Sequence, residues 1–187
     1  MQPLFGMHRA AAFSAIVAAC ALLAATPAQA AASATQANLQ AASRALGFLD
    51  SLRGHDAIAI GVIYAPSAPN NKADAARVAE QLSALAGPNA STIRASAVAV
   101  EDLAHATQRF DALYLMQSAT PSATAISGYV RQHQVVSISG DPACLDAKCC
   151  VLMVQSGAGV NIVLDTALAA AVGAQFSSVF TMMVKRK

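Results

Sequence analysis

The sequence predicts an α/β fold, a single-domain three-layer sandwich with a mostly parallel sheet and a C-terminal antiparallel hairpin. Three observations predict it. Short apolar runs rich in β-branched residues alternate with amphipathic stretches of helical period, as in a parallel sheet covered on both faces. Near the C-terminus two apolar runs, 150–155 and 160–164, are separated only by Ser156-Gly157-Ala158-Gly159. So short a link suits an antiparallel return, because a parallel one requires a crossover. Finally, a chain of 187 residues with 56% hydrophobic side chains can build one core but is short for two domains.

Each element follows from local pattern. Leu39, Ala42, Leu46 and Leu49 recur at steps of three and four, predicting a helix over 38–52 ended by Gly54. The run AIAIGVIY at 57–64 reads as a strand, and Pro66, Pro69, Asn70 and Asn71 mark the loop after it. A helix over 72–85 follows, with Ala76, Val78, Ala79, Leu82 and Leu85 as its buried stripe and Gly87-Pro88 as its stop. Residues 92–100 form a strand. A short helix over 101–108 carries Glu101-Asp102 in its first turn, where carboxylates suit the helix dipole. Residues 112–116 are a buried strand, Pro121 opens a helix running to His133, and 135–139 is the next strand. A loop bearing Cys144, Cys149 and Cys150 comes next, expected at a sheet edge. The two hairpin strands, a helix over 165–172 stopped by Gly173, and an apolar stretch over 176–184 complete the chain. The expected core comprises Ile58, Ile60, Val62, Leu113, Leu115, Val136, Ile138, Leu152, Val154, Ile162 and Leu164.

The first thirty residues read as a secretory signal peptide. His8 and Arg9 precede an apolar stretch, 10–25, shorter than the ~20 residues that span a bilayer, and Ala28-Gln29-Ala30 is a signal-peptidase site. Cleavage after Ala30 is expected, the alternative being lipoprotein processing at Cys20 in Val17-Ala18-Ala19-Cys20. Either way the location is periplasmic. The organisation is therefore 1–30 signal peptide, 31–54 N-terminal tail and helix, and 55–187 the α/β domain.

Chemistry is sparse. With 12 basic against 10 acidic residues and 5% aromatics, nothing suggests nucleic acid, which asks for a basic stripe and stacking rings. His55, His105 and His133 are scattered, no Gly-x-Ser-x-Gly elbow occurs, and Gly157-Ala158-Gly159 precedes a strand rather than a phosphate-binding helix. No catalytic residue, metal or cofactor is expected. Three cysteines without a neighbouring histidine make a poor zinc site; in an oxidising compartment they suggest a disulfide from Cys144 to Cys149 or Cys150. Lys185-Arg186-Lys187 reads as a solvated tail, the alternative being contact with an anionic membrane surface. The best candidate site is topological, because ligands of open parallel sheets collect beyond the strands' carboxyl ends. There lie Tyr64 and Ser67, Ser118 and Thr120, and Ser139 and Asp141, suited to a small polar ligand. Helix capping and turn formation are the competing roles for these groups.

Over residues 57–187 the chain resembles the YfiR-like family of exported bacterial proteins and, more remotely, one lobe of periplasmic substrate-binding proteins. The resemblance is carried by Ser137-Ile138-Ser139-Gly140-Asp141, the loop from Cys144 to Cys150, Asn161-Ile162-Val163-Leu164 and Phe176-Ser177-Ser178-Val179-Phe180. It implies a periplasmic module without enzymatic activity that modulates a membrane-bound sensor, such as a diguanylate cyclase or sensor kinase, and it leaves a homodimer open. It also implies a Cys144–Cys150 disulfide, whereas local geometry favours Cys149. The alternative function is that of a small-molecule-binding single lobe related to transporter substrate-binding proteins.

Overall fold

The computed structural model describes residues 34–187. The signal peptide, its cleavage after Ala30 and the alternative processing at Cys20 lie outside the described residues. Helix α1, Gln36–Leu46, starts where the Thr35 hydroxyl accepts from the Asn38 N–H, and it buries Leu39, Ala42 and Leu46. It stops six residues earlier than the periodicity suggests, and Leu49 and Leu52 reach the core through a separate 3-10 turn at Asp50–Leu52. Gly47 marks the break: a Cβ there would lie 2.9 Å from that of Pro88, so only glycine lets the two loops meet.

Strand β1, Ala57–Tyr64, is followed by α2, Asn71–Ser83, and β2, Thr92–Ala99. The buried stripe of α2 is Ala75, Val78, Ala79 and Leu82, at positions i, i+3, i+4 and i+7; Ala76, expected inside, is exposed. The helix expected over 101–108 is only a 3-10 turn at Leu103–His105. A single buried side chain there, Leu103, is too little apolar anchorage to hold several helical turns. Strand β3, Ala112–Leu115, leads through a 3-10 segment at Gln117–Ser122, which contains Pro121, into α3, Ala123–His133.

Next come β4, Val136–Ser139, and a helix the sequence did not announce, α4, Pro142–Asp146. Strands β5, Leu152–Ser156, and β6, Val160–Leu164, precede α5, Thr166–Ala171. The last apolar stretch divides into α6, Ser178–Met183, and a short strand β7, Lys185–Arg186.

The seven strands form one sheet in the order β2-β1-β3-β4-β5-β6-β7. All neighbours are parallel except β5 and β6, whose antiparallel register runs from Leu152 opposite Leu164 to Ser156 opposite Val160. The α/β sandwich with a C-terminal hairpin is thus the observed architecture. From β1 the chain steps one way to β2 and then the other way to β3 and β4. Right-handed crossovers therefore put α2 and α3 on opposite faces. The cysteine loop is not at a sheet edge: it joins the neighbouring inner strands β4 and β5, while β2 and β7 are the edges. The expected core residues are buried with one exception, Ile162, which is half-buried because β6 has an incompletely covered face.

Candidate functional site

The residues expected to line a polar crevice separate into two groups. The first lies between β1 and β3, where the strand order reverses and α/β sheets open a crevice. Here Met116, Gln117 and Ser118 face Asn71 and Asp74 from the first turn of α2 across a cavity of about 220 Å³. The Asn71 amide donates to the Ala65 carbonyl at 2.7 Å and to the Ser67 hydroxyl at 3.5 Å. The Ala65 N–H donates to the Ser118 hydroxyl at 3.4 Å. Asp74 is held by Arg77 at 2.6 Å, and Tyr64 is buried. Asn71 and Asp74 were not singled out from sequence, although their place one turn into the helix after β1 is the signal that marks them.

The second group, Thr120, Ser139 and Asp141, forms a closed web. Asp141 caps α4 by accepting from the Ala143 N–H at 3.0 Å, and its other oxygen accepts from the Thr120 hydroxyl at 2.7 Å. The Asp141 N–H donates to the Ser139 hydroxyl at 3.1 Å, which donates to the Leu115 carbonyl at 3.2 Å. These groups tie the carboxyl ends of β3 and β4 together and start α4, which is the capping role weighed against ligand binding.

The disulfide links Cys144 to Cys149, with Cα atoms 5.2 Å apart, and leaves Cys150 as a buried thiol. The Cys144–Cys150 pairing implied by the family resemblance is corrected. The end of α4 explains the choice. Lys148 takes a left-handed conformation, φ +55°. The Lys148 N–H donates to Leu145, and the Cys149 N–H donates back to the Cys144 carbonyl at 2.9 Å. This is a Schellman ending, in which the second residue past the cap folds onto the third from the helix end. Those two positions are Cys149 and Cys144. Ser137 anchors the base of the loop, its hydroxyl donating to the Cys149 carbonyl at 2.9 Å and accepting from the Val151 N–H at 3.2 Å. Burial, together with Asp165, Asp141 and Asp146 nearby, pushes the Cys150 thiol up to about 12, so it stays protonated and unreactive at neutral pH.

The third feature is apolar. Ala41, Ala45 and Phe48 on the α1 side, Ile162 of β6, and Phe180 and Met183 of α6 line a groove of about 440 Å³. The Phe180 ring stacks on Phe48 and on Phe176, each at 5.1 Å. Val160 (59%) and Met183 (65%) stand exposed in the groove's lining, and Val179 (54%) and Met182 (78%) are further exposed apolar side chains of α6 outside it. Such clustering departs from the single scattered apolar residues of an ordinary surface and marks an interaction face. No sequence motif announced it, because Val160 and Met183 become neighbours only when β6 and α6 pack. Among the described residues no cluster of His, Cys, Asp or Glu is arranged to hold a metal ion, and no helix is long and apolar enough to cross a membrane.

A family model described as YfiR/HmsC-like matches residues 62–183. No curated protein matches the chain. Among solved structures, the fold is similar to the ABC domain in complex with L-Trp from Streptococcus pneumonia, with a TM-score of 0.58 and 10% identity over 80% of this chain and 61% of that one. It is also similar to a conserved domain protein from Vibrio cholerae O1 biovar El Tor, with a TM-score of 0.54 and 15% identity over 81% of this chain and 60% of that one. The chain spans about three fifths of the length of each, and at such identities the likeness is one of fold.

Proposed function

The chain belongs to the YfiR/HmsC-like family, and from that premise we propose that it is a non-enzymatic periplasmic protein that binds and modulates the outer part of a membrane-bound sensor, such as a diguanylate cyclase or sensor kinase. The observation that carries this reading is the apolar groove between α1, β6 and α6, rimmed by exposed Val160 and Met183. A recessed groove floored by the stacked Phe48 and Phe180 suits a protruding apolar side chain of a partner, the arrangement in which interface hot spots form. The polar groups of the β3–β4 ends are engaged in capping and strand tying rather than presented to a substrate. Placing a photo-crosslinking residue at Ile162 in cells, with Gln108 as a distant control, tests the proposal. The expected result is a discrete adduct with an integral-membrane sensor from Ile162 alone. Adducts only with other copies of the chain, or none above the control, would sink it.

A second reading, a single lobe that binds a small polar molecule, is favoured by the crevice at the β1–β3 switch point. One structural neighbour was solved with L-Trp, which makes amino acids the first compounds to screen. Saturable thermal stabilisation that is lost in Asn71→Ala supports this reading; melting unchanged across amino acids, sugars and nucleosides removes it.

A further inference from the structure

We propose that the outward side of α6 together with β7 is a docking face for an anionic lipid bilayer. The first argument is shape. Phe48 and Phe180 are recessed in the groove, whereas Val179 and Met182 lie outside its lining on the exposed part of α6, with Met183 belonging to both. Met182 is 78% exposed, the most of any large apolar side chain described, and Val179 is 54% exposed. A protein hot spot fills a pocket, but a side chain that enters the acyl boundary has to protrude, flexible and unbranched where possible, as Met182 does.

Charge is the second argument. Lys185 and Arg186 follow α6 directly, are exposed, and make no salt bridge, while Arg44 lies at the rim of the groove. Lys187 is held by Asp146 at 2.5 Å. The elements α1, β6, α6 and β7 carry no Asp or Glu at all, although the chain holds 10 acidic residues. An apolar wedge with two unpaired cations, on elements that themselves carry no carboxylate, is complementary to a surface of anionic headgroups over hydrocarbon. An acidic protein would satisfy the cations but would need a preformed pocket to receive Val179 and Met182, which a bilayer does not. Each cation near such a surface strengthens binding about fivefold. Two free cations beside a modest apolar insertion act together at such a surface, binding strength scaling with buried apolar area plus electrostatic attraction to anionic lipid. This inference is separate from the sensor proposal, since Val179, Met182, Lys185 and Arg186 are not part of the groove's lining. Bound lipid would nonetheless hold the groove close to where a sensor's outer domain emerges.

The chain has no tryptophan, so Met182→Trp in the full chain installs a single reporter whose signal is local to α6. The reporter is titrated with vesicles of phosphatidylcholine alone and with vesicles containing phosphatidylglycerol, each with and without brominated acyl chains. The expected result is a blue shift and bromine quenching with phosphatidylglycerol vesicles only, and no quenching of a Gln108→Trp control. Adding Lys185→Gln and Arg186→Gln is expected to raise the lipid concentration for half-quenching about thirtyfold, the product of two cations' contributions. Absence of quenching, equal quenching by both vesicle types, or a titration unmoved by removing the two cations would each overturn the proposal. So would sedimentation showing that Met182→Asp dissociates a homodimer while that variant still binds the phosphatidylglycerol vesicles, since a second copy would then be the occupant of this face.

Discussion

The sheet from β2 to β4 is built by crossovers alone, whereas from β5 to β7 it contains a hairpin before its last crossover, through α5 and α6, reaches β7. In the first region each return brings a helical segment over the strands, and β3 and β4 are buried at every position. In the second, the link from Gly157 to Gly159 brings no helix with it, and β6 is buried only at Leu164, its other positions being exposed or half-buried. A hairpin return brings no helix of its own to cover the strands it joins, and the last crossover, through α5 and α6, leaves β6 only partly covered. The contrast explains why interior polar groups in the first region are consumed in strand tying, while the second keeps an apolar groove and projecting methionines. Edge-strand hazards are contained there because β7 presents Lys185 and Arg186, charges that disfavour pairing with another sheet.

The sharpest way to break this comparison is truncation on each side. Leu113→Ala in β3 removes a fully buried side chain and is expected to cost about 2–5 kcal/mol in urea denaturation. Ile162→Ala, in the half-covered β6, should cost about 1 kcal/mol, having less contact to lose. Equal costs would mean that the hairpin side is as well packed as the crossover side.

Reduction of the Cys144–Cys149 bond tests how the two regions are joined, since its loop lies between β4 and β5. Closing a loop across a sequence separation of 5 contributes about 2 kcal/mol in the chain-entropy model. Urea midpoints measured with and without a reductant should differ accordingly, and coincident curves would show that the Schellman ending alone holds the loop. A smaller change sharpens the same point. Lys148 sits at φ +55°, where a side chain is strained and glycine is not. Lys148→Gly is therefore expected to stabilise the protein by about 1 kcal/mol; a loss of stability would mean that the lysine side chain contributes packing of its own.

The mildest effect concerns pH. Burial raises the Cys150 thiol from 9.0 to about 12, with the nearby carboxylates adding to the shift. A raised value favours the protonated form in the folded state, so its contribution is complete below pH 9 and is lost as the pH climbs toward 12. Between pH 8 and 10.5 the urea midpoint of Cys150→Ala should fall less steeply than that of the parent. Parallel declines would exclude this thiol as the cause.

Much of this architecture was legible along the chain because it rests on local pattern. Short β-branched apolar runs placed all but the last strand, three-to-four apolar spacing placed the longer helices, and the four-residue link set the hairpin's direction. Gly173, at φ +68°, stopped α5 as a glycine past a helix end should. The same ending at Lys148 was not legible, because nothing in a lysine advertises a left-handed residue, and the cysteine pairing depended on it. Helix α4 was hidden because its five residues are too few to show periodicity, although Asp141 before Pro142 is a local start signal for it.

By itself the sequence determined the alternation of strands and helices, the family resemblance and the residues available for a disulfide, since each depends on neighbours along the chain. Only the tertiary structure decided which cysteine meets Cys144, that the loop joins inner strands rather than an edge, and that Val160, Phe48 and Met183 border one groove. Those facts depend on distances between segments far apart in sequence, and such distances are set by how the sheet is covered rather than by any local pattern.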